Sequence, residues 1–359
     1  MINVTKTFLP PYPEYERYLK RAWEKGWITN NGELVQELEA KLKDYLGVKH
    51  LFFTTNGTVV LQMALKALNI TGQVITTPFS YVATTNAVLW EGCEPIFVDI
   101  SPVSFCLDPD KIEAAITEKT QAILATHVYG LSCDIEKIEK IARKYHLKVI
   151  YDGAHAFGSH YKGKPLLSYG DLSTCSFHAT KLFHTVEGGC IICHDDELAH
   201  KIMLYRQFGH VYDDYQSIGI NAKNSEFHAA MGLANFPYLS NILEDRKKSW
   251  LYYQQRLMGK FRLLDASLLE NFNYSYFPVV FATEEEMKKC KERLIQNAIY
   301  PRQYFHPSLN KLSFIEGQDC PVSEEISSKI LCLPLFYEIA KSDIDRICQL
   351  LELDNKKLS

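Results

Sequence analysis

Tyr151-Asp152-Gly153-Ala154-His155-Ala156-Phe157-Gly158, followed downstream by Ser176-Phe177-His178-Ala179-Thr180-Lys181 and Glu187-Gly188-Gly189, is the part of the chain from which the fold is read. Val149-Ile150-Tyr151 is apolar and ends abruptly in a carboxylate. A short apolar run closed by a polar residue and then by glycine reads as a buried strand that stops at the edge of a sheet. The run Lys148 to Asp152 is therefore a strand, and the helical pattern Ile135 to Tyr145 before it makes a helix–strand pair.

The same alternation extends in both directions. Strands are expected at His50 to Thr54, Gln73 to Thr77, Glu94 to Asp99, Gln121 to His127 and Cys190 to Cys193. Helices are expected at Glu14 to Lys25, Glu33 to Tyr45, Gly57 to Leu68, from Asp196, and at Asn224 to Ala234. Nearly continuous apolar strands alternating with helices predict an α/β fold whose mostly parallel sheet is covered on both faces. The last third holds a long polar helix (Asp245 to Lys260), a strand (Tyr274 to Phe281) and helices at Glu284 to Ile295 and Lys341 to Leu351. These divide the chain into an N-terminal segment with a large domain, residues 1–242, and a smaller α+β domain, residues 243–359.

Composition narrows the partners. With 359 residues, 47% hydrophobic and 23% charged, and a formal net charge of −4, the chain reads as a globular protein without a basic footprint for nucleic acid or an anionic membrane. No signal-like or membrane-spanning stretch is seen, so a cytoplasmic location is expected. The ten cysteines then read as reduced thiols. Cys190-Ile-Ile-Cys193 lies within a strand, where residues three apart point to opposite faces, so no metal is expected there.

Ligands of open α/β sheets bind beyond the carboxyl ends of the strands. Thr54-Thr55-Asn56-Gly57-Thr58 joins a strand to a helix, where Gly57 lets the backbone approach an anion; as a bare motif it is also an ordinary capped turn. Thr58 and Ser176 add hydroxyls. Asp152 is either the cap of the next segment or the partner of a cationic ring nitrogen. Lys181, among small and hydroxyl residues, suits a covalent imine and proton transfer, since a buried lysine readily loses its proton. A lysine for the aldehyde and an aspartate for the ring nitrogen are what pyridoxal 5'-phosphate requires. His155 and His178 lie three positions from Asp152 and Lys181 respectively and could face the same pocket. Tyr81, in Pro78-Phe-Ser-Tyr-Val-Ala83, is a candidate to stack on the ring.

Taken together, these motifs resemble the DegT/DnrJ/StrS family of sugar aminotransferases. The resemblance also runs through Trp27 to Gly32, Thr77 to Thr84, Pro95 to Asp99, His127 to Gly130, Gly219 to Asn221, Glu226 to Ala230, and Tyr304-Phe-His-Pro307 to Leu331-Cys-Leu-Pro334. It implies fold type I, the aspartate aminotransferase architecture, with pyridoxal 5'-phosphate on Lys181 and pyridoxamine 5'-phosphate as the intermediate form. Asp152 matches the partner of the ring nitrogen and His155 the residue beside the ring and its phenolic oxygen. Tyr81 matches the stacking aromatic, and Gly57, Thr58 and Ser176 the phosphate cradle. Asn221 matches an asparagine that reaches the phosphate of a neighbouring subunit, which implies a homodimer with shared sites. Tyr304 and His178 are the candidates for substrate contact.

The His178-x-x-Lys181 setting is similar to members that aminate C4 of a nucleotide-linked 4-keto-6-deoxyhexose, dTDP being the expected carrier, with L-glutamate as donor and a surface-polysaccharide sugar as product. Members acting at C3, GDP-perosamine-type synthases and a non-catalytic regulatory relative are the alternatives. Gly153, Val186 and Ala222-Lys223-Asn224 depart from the family pattern, and the last puts contacts from the partner loop in question.

Overall fold

The computed structural model describes residues 1–353. Seven strands form the main sheet: β1 (His50–Thr54), β2 (Gln73–Thr76), β3 (Glu94–Phe97), β4 (Thr120–Thr126), β5 (Lys148–Asp152), β6 (Leu172–Ser176) and β7 (Gly189–Cys193). Their order is β1-β7-β6-β5-β4-β2-β3. Six strands run one way, and β7 lies antiparallel between β1 and β6. The fold is α/β, as expected.

Both faces of the sheet are covered, and alternate residues show it. Ile75, Ile123, Val149 and Ile192 join one apolar core, while Val74, Leu124, Ile150 and Ile191 join the other. Successive strand residues point to opposite faces, so continuous apolar strands feed two cores at once. Cys190 and Cys193 fall into different cores for the same reason, both buried as free thiols. No cluster able to hold a metal ion occurs among the described residues, and no described helix is long and apolar enough to cross a membrane.

β6 was not expected from its sequence. Leu172-Ser-Thr-Cys-Ser176 is polar, yet Ser173 and Thr174 are buried and direct their hydroxyls at the carbonyl of Tyr151. That strand carries Ser176 to the edge beside Asp152. Gly189 pairs with both Ser176 and Thr54, so three strand ends meet there. A Cβ on Gly189 would lie 2.7 Å from the Asn56 carbonyl, which explains why the β1 turn can cross over β7 only at a glycine.

Toward the C-terminus a three-stranded antiparallel sheet forms from β8 (Arg262–Leu263), β9 (Phe277–Val280) and β10 (Ile330–Leu333). Helix Glu284–Gln296 packs on β10, Leu239–Leu257 sets Trp250 and Tyr253 against Phe277 of β9, and Lys341–Glu352 packs on both helices. The first of these starts ahead of the expected Asp245, directly after the turn Phe236–Tyr238, and runs through positions 242 and 243 without a break. Ile2–Asn3 pairs in parallel with Ile299–Tyr300, so the start of the chain lies against this later part.

Candidate active site

Asp152 is the last residue of β5 and only 5% exposed. The Thr84 hydroxyl donates to its Oδ2 at 2.7 Å, and the Ala154 N–H donates to its Oδ1 at 3.0 Å. Two donors hold the carboxylate in one orientation, and hydrogen bonds to a charged acceptor are the strong ones. Thr84 had no assigned role in the sequence reading. It lies in a helix, Ala83–Trp90, whose Ala-Thr-Thr-Asn start carries no apolar periodicity.

Lys181 sits on a loop folded back on itself between β6 and β7. Phe177 N–H donates to the Gly188 carbonyl at 2.8 Å, Thr185 N–H to Phe177 at 2.9 Å, and Lys181 N–H to His178 at 2.9 Å. These bonds aim the half-buried lysine inward, with Nζ 3.5 Å from the Tyr276 hydroxyl. A narrow cavity beside it is lined by His155, Ser176, Thr180, Lys181, Arg246 and Tyr276 among others. A second cavity shares Thr180, Arg246 and Tyr276 and adds Tyr304 and the N-terminal Val4 and Thr5.

His155 lies at 5% exposure between aromatic rings. Phe305 stacks on it at 5.4 Å and 15°, and Tyr276 meets it edge-on at 5.1 Å. Burial first, and then the nearby charge of Lys181, push its pKa well below the ordinary histidine value, so the ring is neutral. Its Nδ1 is buried without a partner among the described residues. A buried, unpaired ring nitrogen beside a lysine is a group waiting for a ligand atom.

At the β1 end, Asn56 caps the helix Gly57–Ala67, its Oδ1 accepting from the N–H groups of Thr58 and Val59 at 3.0 and 2.9 Å. Gly57 N–H has no partner among the described residues. A Cβ at Gly57 would lie 2.7 Å from Ser176 Cβ and 3.0 Å from its Oγ, so only glycine allows this approach. The helix start thus lies against Ser176, with the exposed Thr58 next in the chain, a polar corner suited to an anion. The sequence reading assigned Thr58 and Ser176 to that corner, but not Asn56's capture of two of the helix N–H groups.

The other expected residues are placed as follows. Tyr81 is 62% exposed, three positions before Thr84. Asn221 is exposed, its Oδ1 accepting from Lys223 Nζ at 2.9 Å, and the next carbonyl, of Ala222, accepts from Thr55 N–H. That segment therefore lies against the turn of the polar corner in its own chain. Tyr304 is half-buried, with its ring edge-on to Tyr276 at 5.9 Å and its carbonyl accepting from the Tyr129 hydroxyl. His178 is not among the residues lining the cavity beside Lys181: Nδ1 bonds Thr180 Oγ1 at 2.8 Å and Nε2 lies 3.5 Å from the Glu187 carboxylate. Tyr276 and Arg246 are further site residues without a sequence signal, and nothing in their spacing links them to Lys181. Phe305 lies inside the quoted Tyr304-Phe-His-Pro307 run, where only its neighbour Tyr304 is a candidate.

A lysine, a fixed buried carboxylate and a polar corner lie at one edge of the sheet. The family model for the DegT/DnrJ/EryC1/StrS aminotransferases matches residues 13–352. The chain belongs to this family. It is an enzyme of these pyridoxal-phosphate-dependent sugar aminotransferases. The chain is 40% identical to the dTDP-4-amino-4,6-dideoxy-D-glucose transaminase of Shigella dysenteriae over 96% of this chain and 97% of that one. It is 32% identical to the GDP-perosamine synthase of Caulobacter vibrioides over 93% of this chain and 94% of that one. Among solved structures, DesI in the presence of its TDP-sugar product superposes with a TM-score of 0.92 at 30% identity, covering 100% of this chain and 96% of that one.

Proposed function

We propose that this family member transfers the amino group of L-glutamate to C4 of dTDP-4-keto-6-deoxyglucose, giving dTDP-4-amino-4,6-dideoxyglucose, and that it works as a homodimer. The observation that carries this reading is the meeting of Lys181, the doubly bonded Asp152 and the Gly57–Ser176 corner at one end of the sheet. The identity to the Shigella enzyme favours C4 and dTDP.

When bound, pyridoxal phosphate supplies an aldehyde that bonds reversibly to amines and a ring that draws electrons from the adjoining carbon. Gly57 N–H, Thr58 and Ser176 would bind its phosphate, Lys181 Nζ its aldehyde carbon and Asp152 its ring nitrogen. Asp152, oriented by its two donors, would hold a proton on that nitrogen. Lys181, freed by the incoming amine, moves a proton at the substrate carbon, and the Tyr276 hydroxyl at 3.5 Å orients its amine. The neutral His155 would lie beside the ring without adding a competing charge. Phe305, Tyr276 and Tyr304 wall this side and exclude water. Tyr81, exposed near Asp152, would cover the ring from the open side, and Asn221 of a second copy would complete the phosphate contacts. His178, held by Glu187, and Tyr304 flank the entry of the sugar.

Borohydride reduction of cofactor-saturated protein followed by peptide mass mapping tests the attachment. The label is expected on Lys181; a label elsewhere, or none, refutes the assignment. Glutamate should bleach the yellow protein and the keto-sugar restore it. Offering dTDP-, UDP- and GDP-linked 4-keto-6-deoxyhexoses, with NMR to locate the new amine, checks carrier and position. Preference for the GDP sugar, or an amine at C3, overturns the corresponding part.

A further inference from the structure

Two arginines are deeply buried among the described residues, and they differ in one respect. Arg206, 3% exposed, forms an ion pair with Glu39. Arg246, 6% exposed, forms no ion pair among the described residues. Its Nε donates to the Tyr274 carbonyl at 3.3 Å and its Nη2 to the Ser275 carbonyl at 2.6 Å, leaving Nη1 without a protein partner. The adjacent carboxylate, Asp245, accepts from the Glu338 N–H at 2.8 Å. A buried cation is costly unless it is paired; two neutral carbonyls do not neutralise it, and the Asp245 charge favours it without touching it. Burial lowers the guanidinium pKa only to about 10, so the charge persists at neutral pH.

The position of this cation indicates what would pair it. Arg246 lines both the cavity beside Lys181 and the adjoining one bounded by Tyr304, and Tyr276 and Thr180 are shared with it. An anion bonded to Nη1 would therefore sit within the space where an amine reaches Lys181. The keto-sugar ring is uncharged there, whereas an amino-acid donor brings carboxylates. We infer that Arg246 anchors a carboxylate of the amino donor through Nη1, forming a subsite used in the donor half-reaction and not in the sugar half-reaction. This deepens the proposed function and rests on its amino-acid donor. The guanidinium need not move between the two half-reactions, since its carbonyl bonds hold it in place.

The experiment compares the unaltered holoenzyme with Arg246→Gln. Succinate, a dicarboxylate without an amine, is titrated by calorimetry, and the two half-reactions are followed separately by cofactor absorbance. Loss of one charge-assisted bond is expected to weaken succinate binding about 10- to 100-fold and to raise the glutamate concentration for half-maximal bleaching in step. The KM for the keto-sugar nucleotide should stay within about threefold. Equal losses in both half-reactions would show that Arg246 only supports the Tyr274–Ser275 backbone, and no loss would equally overturn the subsite. If glutamate fails to bleach the unaltered protein while succinate binding still depends on Arg246, the donor assignment falls and the carboxylate subsite stands. If succinate does not bind the unaltered protein, the subsite falls whatever glutamate does. Should Arg246→Gln not fold, crystals of the unaltered protein with succinate decide: a carboxylate oxygen about 3 Å from Nη1 is expected, and one bound elsewhere refutes the inference.

Discussion

Asp152→Asn separates charge from shape at the centre of the site. The carboxylate has one donor on each oxygen, Thr84 Oγ1 at 2.7 Å and Ala154 N–H at 3.0 Å. An amide fits this frame, because its oxygen can accept from Ala154 N–H while its NH2 donates to the Thr84 hydroxyl, which can turn and accept. The fold should therefore hold, with a stability change of about 1 kcal/mol or less. What is lost is the negative charge that, in the proposed function, would face the ring nitrogen. A hydrogen bond between charged partners contributes about 1.5–3 kcal/mol, and here it acts on the electron sink itself. At ~1.4 kcal/mol per tenfold, the donor half-reaction should slow by roughly 10- to 100-fold or more. Cofactor affinity, supplied mainly by the covalent bond and the phosphate corner, should fall less than about tenfold. Stopped-flow absorbance with glutamate gives the rate, and titration of the apoprotein with cofactor gives the affinity. An unchanged rate with full occupancy would refute the role given to Asp152, as would an equal loss in both.

Gly57→Ala should weaken cofactor binding with a smaller effect on folding, since the new Cβ would fall 2.7 Å from Ser176 Cβ in the corner itself; overpacking of this kind costs about 1–3 kcal/mol, and a cofactor titration indistinguishable from the parent would contradict it. Thr84→Val removes a buried donor from Asp152 and should slow the donor half-reaction in the same direction as Asp152→Asn; additive effects in the double variant would argue that the two residues act independently. His127 is fully buried, with its Nδ1 accepting from Cys133 N–H, and burial depresses its pKa to about 3. In the unfolded chain it titrates near the ordinary histidine value of about 6.5, so between these values the unfolded state binds the extra proton. Stability is thus full above about pH 6.5 and falls by roughly 1.4 kcal/mol per pH unit as pH drops toward 3. Denaturation midpoints from pH 7 to 5 should decline less steeply in His127→Asn, which keeps an acceptor for Cys133; parallel curves would rule this out.

The chain's own pattern determined the alternating elements, because burial on both faces of a parallel sheet demands apolar strands and amphipathic helices in turn. β1 and β5 and the helix Ile135–Tyr145 appear with the expected bounds. Asp152 and Gly57 stand out in the sequence because one ends an expected strand and the other opens an expected helix, where sheet ligands gather; Lys181 lies on a loop and Ser176 on an unexpected strand, and only the Ser176-to-Lys181 run points to them. Tertiary structure alone decided the rest. β6 is polar in sequence yet central, since its hydroxyls find buried acceptors on β5, a fact local hydropathy does not encode. Thr84, Tyr276 and Arg246 gain their places from contacts spanning dozens of residues, 68 in the case of Thr84 and Asp152 and 95 for Lys181 and Tyr276. Sequence spacing carries information over a few helical turns or one strand. Which distant side chain supplies a donor, a hydroxyl or an unpaired cation to the site follows from how the elements pack.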